Sequence, residues 1–119
     1  MASAARHAAD TYHNAVNTKD LRLLRTIFAE DAMLAVPAAI TPDNPRGTFH
    51  GIENVMGFFA NVSFPDQAIL TYTHVYEDGN SCIVELEGEL PERTVEALDI
   101  FTVGEDGLVA RMAVYARIT

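Results

Sequence analysis

From Ala68 to the C-terminus, apolar and polar positions alternate with a period of two, which predicts four strands: Ile69 to Tyr76, Ser81 to Leu90, Arg93 to Val103 and Leu108 to Ile118. Glu-Asp-Gly-Asn, Leu90-Pro91-Glu92 and Gly-Glu-Asp-Gly separate them, so they form a meander of hairpins. In the second strand Val84, Leu86, Gly88 and Leu90 alternate with Glu85, Glu87 and Glu89, which makes the glutamate row a solvated face. Upstream the spacing is helical. Ala5, Ala8, Tyr12, Ala15 and Val16 give a first helix over about Ser3 to Asn17, and Leu21, Leu24, Ile27 and Phe28 give a second, capped at Asn17-Thr18-Lys19 and ended by Ala29-Glu30-Asp31-Ala32. Met33 to Val36 reads as a short strand stopped by Pro37. Pro42, Asp43, Asn44, Pro45 and Gly47 mark a loop, and Thr48-Phe49-His50 touches the sheet again. Gly51 opens a third helix with Ile52, Val55, Met56, Phe59 and Val62 inside, closed by Pro65.

Helices followed by a run of antiparallel strands predict a single α+β domain spanning residues 1–119. The expected shape is a cone: a curved antiparallel sheet packed on three N-terminal helices and enclosing a pocket. Val36, Met56, Phe59, Val84, Leu86, Phe101, Met112 and Val114 are its expected lining and substrate-binding wall.

One residue breaks the pattern. On strict alternation Val95, Ala97, Asp99, Phe101 and Val103 share a face, so a carboxyl group is threaded through an apolar row. An unpaired buried carboxylate is costly and takes up a proton instead, which turns it into a hydrogen-bond donor. The alternative is an aspartate at a sheet edge, or one leaning out to pair with Arg93, Arg111 or Arg117. Tyr12, on the inner stripe of its helix, reads by default as a core residue whose hydroxyl finds a partner.

The formal net charge of -9, with eight Lys and Arg among seventeen acids, excludes the basic face that nucleic-acid binding needs. No run of about eighteen apolar residues and no secretory leader is legible, so no membrane partner is expected and the chain is predicted to be cytoplasmic. A lone Cys82, no Gly-rich phosphate loop and no metal-ligand spacing predict no cofactor and no metal. Leu98, Ile100, Val109 and Tyr115 on the outward faces of the last strands suggest a homodimer.

Three stretches resemble the ketosteroid isomerase and SnoaL-like branch of the nuclear-transport-factor-2-like superfamily: TYHNAVNTKDLRLLRTIFAEDAML, FHGIENVMGFF and LDIFTVGEDGLVARMAVYA. The resemblance covers nearly the whole chain. It implies that Tyr12 and Asp99 stand where the steroid isomerases keep the tyrosine and the protonated aspartate of their oxyanion hole. Two such donors aimed at one oxygen would stabilise an enolate. Elsewhere the chain departs from the family. Val36 precedes Pro37 where the isomerases carry their carboxylate base, and Phe28 and Phe59 occupy the aromatic positions that would support the tyrosine. A valine accepts no proton. Asp43 in the loop is a candidate substitute base, and His50, His13, His74 and His7 are the other titratable candidates.

The function so implied is an isomerase or cyclase acting on a small apolar carbonyl-bearing steroid, terpenoid or polyketide. A non-catalytic binding protein for a small hydrophobic ligand is the alternative, and an epoxide hydrolase-like enzyme a second, although the acids and Arg it needs do not assemble on the inner face.

Overall fold

The computed structural model describes residues 3–37, 47–64, 69–90 and 93–118. The first helix, α1 (Ala4–Thr18), is capped by Ser3, whose side chain accepts a hydrogen bond from the Arg6 amide. Its inward face is Ala5, Ala8, Ala9, Tyr12, Ala15 and Val16, all buried. Alanines let the helix lie close to the sheet, so Tyr12 is the one long side chain it drives into the core. Lys19, in the left-handed conformation, ends α1, and Asp20 caps the short α2 (Leu21–Arg25) by accepting from the Leu23 amide.

That second helix stops earlier than its apolar spacing predicts. Ile27 and Phe28 are buried as expected, but Phe28 begins strand β1 (Phe28–Ala35), so Ala29 to Ala32 is strand and not a helix end. A helical stripe and a turn leading into a strand bury the same residues in this short segment, and the spacing alone did not separate them. β2 (Thr48–His50) pairs antiparallel with β1. Gly51, at φ 85°, turns the chain into α3 (Ile52–Phe58) while its amide bonds the Ala32 carbonyl, and one π-helical turn, Phe59–Ser63, continues that helix.

The meander follows as β3 (Ile69–Asp78), β4 (Ser81–Leu90), β5 (Arg93–Val103) and β6 (Val109–Ile118). The six strands form one open sheet in the order β2-β1-β6-β5-β4-β3. It is mixed: β1 runs parallel to β6, and every other pairing is antiparallel. A parallel junction between the first strand and the last leaves no local signal in the sequence, because the chain between them makes the connection. The loop carrying Asp43, the helix stop at Pro65 and the turn at Pro91 and Glu92 lie outside the described residues.

The register sorts side chains to two faces. Inward point Cys82, Val84 and Leu86 of β4, Asp99 and Phe101 of β5 and Met112 of β6, packed beneath α1 and joined by Leu34 of β1 and Val55 and Phe59 from the third helix and its π turn. Outward point Leu98, Tyr115 and Arg117, with Glu96 beside them. Val109, expected on the outer face, is fully buried. The register shift between Thr102 and Val103 carries it across to the core side, where it pairs with Val103 and Phe28. Among the described residues no helix is long and apolar enough to cross a membrane.

Candidate functional site

Asp99 sits mid-strand on β5, opposite Val84 of β4 on one side and Val114 of β6 on the other. It is 3% exposed, and it is the one buried polar or charged residue among those described. It does not lean out to Arg111 or Arg117, and the side chain of Arg93, the third arginine considered, lies outside the described residues. Arg111 and Arg117 belong to the opposite face of β6, and Arg117 is engaged with Glu96. Among the described residues no cation stands beside it, and burial pushes the Asp99 carboxyl from 3.8 up to about 7. Over the acidic side of neutrality the group is therefore a neutral acid.

Tyr12 comes from the other layer. Its ring packs edge-on against Phe101, the inner neighbour of Asp99 along β5, at 5.2 Å, and against Phe59 at 5.9 Å. Burial raises its phenol well above the ordinary value of 10.0, and the charge of Asp99 adds to the rise. A phenol so shifted keeps its proton throughout the physiological range. Among the described residues neither the Tyr12 hydroxyl nor the Asp99 carboxyl has a hydrogen-bond partner. Native interiors leave few such groups unpaired, so two within the same buried cluster call for an explanation.

The surroundings are apolar. Phe28 stacks on Phe59 at 6.0 Å, and Phe58, Phe64 and Phe49 extend the aromatic cluster. Of the expected wall residues, Val36, Phe59, Val84, Leu86, Phe101 and Met112 are buried in one cluster, and Met56 and Val114 are half-buried against it. Val36 lies just past β1, tied by its amide to the Gly47 carbonyl at 2.7 Å. Asp43 lies outside the described residues. His7 and His50 are exposed, and His74 lies on the outer face 2.9 Å from Glu85.

One inner residue was passed over in the sequence. Tyr72 of β3 donates from its hydroxyl to the Ala9 carbonyl of α1 at 2.6 Å and stacks on His13 at 4.1 Å. Burial, followed by the charge of Asp99, raises its phenol above the ordinary range. Its place in the inward register of the predicted strand, two positions after Leu70, was the signal that could have found it. Among the described residues no group of three His, Cys, Asp or Glu side chains could hold a metal. A broad open hollow of about 760 Å³ lies on the outer face, bordered by His74, Glu85, Leu98, Tyr115 and Arg117.

Residues 9–112 match the family model described as SnoaL-like domain. No curated protein matches the chain. Among solved structures, RV0760c from Mycobacterium tuberculosis in complex with estradiol-17beta-hemisuccinate is 20% identical, with a TM-score of 0.81 over 99% of this chain and 99% of that one. A computationally designed 17-OHP binder is 17% identical, with a TM-score of 0.84 over 100% of this chain and 97% of that one. A putative ketosteroid isomerase from Kribbella flavida is 20% identical, with a TM-score of 0.79 over 96% of this chain and 78% of that one. At these identities the likeness establishes the cone-shaped α+β fold.

The electrostatics of Asp99 set a pH dependence of stability. Its native pKa lies above its ordinary 3.8, so the folded state binds the proton more tightly than the unfolded state. The stabilisation is fully present below 3.8 and is lost as pH rises through about 7. Against the Asp99→Asn variant, wild type should lose on the order of 4 kcal/mol of unfolding free energy between pH 4 and pH 8. Parallel urea titrations of the two proteins measure that difference directly, and a constant difference across the range contradicts the assignment.

Proposed function

The chain belongs to the SnoaL-like domain family, and on that footing we propose that it binds a small apolar ligand through one oxygen, held by Tyr12 and Asp99 together. What supports this reading is the pair itself: a phenol and a carboxyl, both buried, the charge of the second felt by the first, unpartnered among the described residues and ringed by aromatic and aliphatic side chains. A ligand carbonyl, enolate or phenol oxygen placed between them satisfies both donors at once. Val36, Met56, Phe59, Val84, Leu86, Phe101, Met112 and Val114 form the wall of that site in this proposal.

As an enzyme, the protein acts as an isomerase or cyclase on a steroid, terpenoid or polyketide carbonyl. The two donors stabilise the negative charge that develops on oxygen when a neighbouring carbon loses its proton. A fixed donor pair in a dry site needs little reorganisation as that charge appears. The proton itself has no acceptor at Val36, so Asp43, a water molecule or the substrate takes it. A second reading, a binding protein without chemistry, is favoured by the same observation of an apolar side chain at the position before Pro37.

The protein acts as a homodimer in this proposal, through the outer face of the sheet. Tyr115 and Tyr76 are exposed at 58% and 51%, and Tyr115 and Leu98 border the open hollow. The Glu96–Arg117 ion pair and the His74–Glu85 contact set acidic and basic side chains next to one another on this surface, a pattern a second copy could meet in self-complementary fashion.

Titration with estradiol-17beta-hemisuccinate tests the site. Wild type should bind, and Tyr12→Phe should weaken binding about tenfold, the worth of one hydrogen bond to a buried oxygen. Equal affinity in the two proteins removes Tyr12 from the site. Val36→Asp separates the two readings: a gain of isomerase turnover on a 3-oxo-Δ5 steroid means the donor side is competent and lacks only a base, and no gain favours a different ligand. For the dimer, light scattering should give twice the chain mass for wild type and the single-chain mass for a Leu98→Glu, Tyr115→Glu double variant; an unchanged mass places the contact elsewhere.

A further inference from the structure

The polar contacts between α1 and β3 are more specific than helix packing requires. β3 is an edge strand, so the Leu70 amide and carbonyl have no strand beyond them. Asn17 fills that place with its side-chain amide: Asn17 Nδ2 donates to the Leu70 carbonyl at 3.0 Å, and Asn17 Oδ1 accepts from the Leu70 amide at 2.8 Å. His13 Nε2 lies 2.7 Å from the same carbonyl, and since a carbonyl only accepts, Nε2 carries the proton. The His13 ring stacks on Tyr72, whose hydroxyl donates to the Ala9 carbonyl. Ala9, His13 and Asn17 are spaced four apart, so they make one stripe along α1, beside the face that carries Tyr12. On the strand side, the register shift between Tyr72 and His74 turns both Tyr72 and Val75 toward the core and bends β3.

We infer that Tyr72, His13 and Asn17 form a clasp that positions Tyr12, setting the height and rotation of α1 on β3 and so where the phenol stands relative to Asp99. The inference rests on the reading of Tyr12 and Asp99 as paired donors. An α-helix rises about 1.5 Å and turns about 100° per residue, so a slip of one residue would swing Tyr12 out of the core. Two antiparallel hydrogen bonds from one amide fix the translation. The stacked ring and the Tyr72 hydroxyl, gripping the turn just before Tyr12, fix the rotation. Apolar packing by the alanines of α1 would bury as much surface but would leave the helix free to slide. These three are positioning residues, because none is placed against the ligand.

The test reads the distance between phenol and carboxylate without a ligand. With 13Cζ-labelled tyrosine, the Tyr12 signal, identified by its loss in Tyr12→Phe, should shift as Asp99 ionises, because a charge appears beside it. In Tyr72→Phe and in Asn17→Ala that response should fall by about half or more, since the field of a charge weakens with distance. Estradiol-17beta-hemisuccinate gives a second readout. Tyr72→Phe should weaken it several-fold when Tyr12 is present and leave it unchanged in the Tyr12→Phe background, a coupling that general loss of stability would not produce. If Tyr72→Phe does not fold, Asn17→Ala, at the last turn of α1, carries both measurements. A wild-type response that survives both variants unchanged overturns the clasp alone. A wild-type Tyr12 signal that ignores the ionisation of Asp99 removes the paired donors and the clasp together.

Discussion

The arrangement depends on holding one carboxyl group in an apolar row with no counter-charge among the described residues. Asp99 has valines across from it on both neighbouring strands and a phenylalanine two positions along its own. Such a site disfavours the ionised form strongly enough to hold the group near the midpoint of its titration at neutral pH. A leucine there would make a better core. The cost of the carboxyl is offset by the rest of the fold, which contributes an otherwise continuous cluster of aromatic and aliphatic side chains on both layers. Donors that are costly to bury unpaired are the ones a ligand oxygen gains most from meeting.

The second layer brings the matching group. The alanine face of α1 lets the helix settle on β3, β4 and β5 with Tyr12 between Phe59 and Phe101. The side chains of Asn17, His13 and Tyr72 bind the helix to the exposed edge of β3. An exposed edge is a template for unwanted strand pairing, so one set of contacts both occupies the edge at Leu70 and holds the helix. The opposite end of the sheet is built differently. There β1 runs parallel to β6, α3 packs against β1, and Val36 is buried just past the end of β1.

Much of this was legible in the chain before any coordinates. Period-two alternation located all four strands of the meander to within a residue or two, and placed Asp99 inward, because one face of each strand is buried and a slip would expose it. Tyr12 was legible from helical spacing in the same way. The segment from Ile27 to Ala32 was not, since a helix and a turn into a strand bury Ile27 and Phe28 alike. Val109 was misplaced because a register shift, which has no sequence signature of its own, reverses the alternation just before it. Tyr72 could have been read from its inward position, but its bond to Ala9 and its stack on His13 join residues far apart in the chain. Pairing of that kind comes from the packing of whole elements, and a single sequence records only one partner at a time.

In the proposed site a protonated acid at Asp99 is one of the two donors, and its titration is the most direct measure of that claim. A 13Cγ NMR titration of Asp99 in the ligand-free protein, assigned with Asp99→Asn, should show a midpoint at about 7. A midpoint near 3.8 would mean a hydrated, ordinary carboxylate, and neither the donor pair nor the oxygen it is proposed to hold would survive that result.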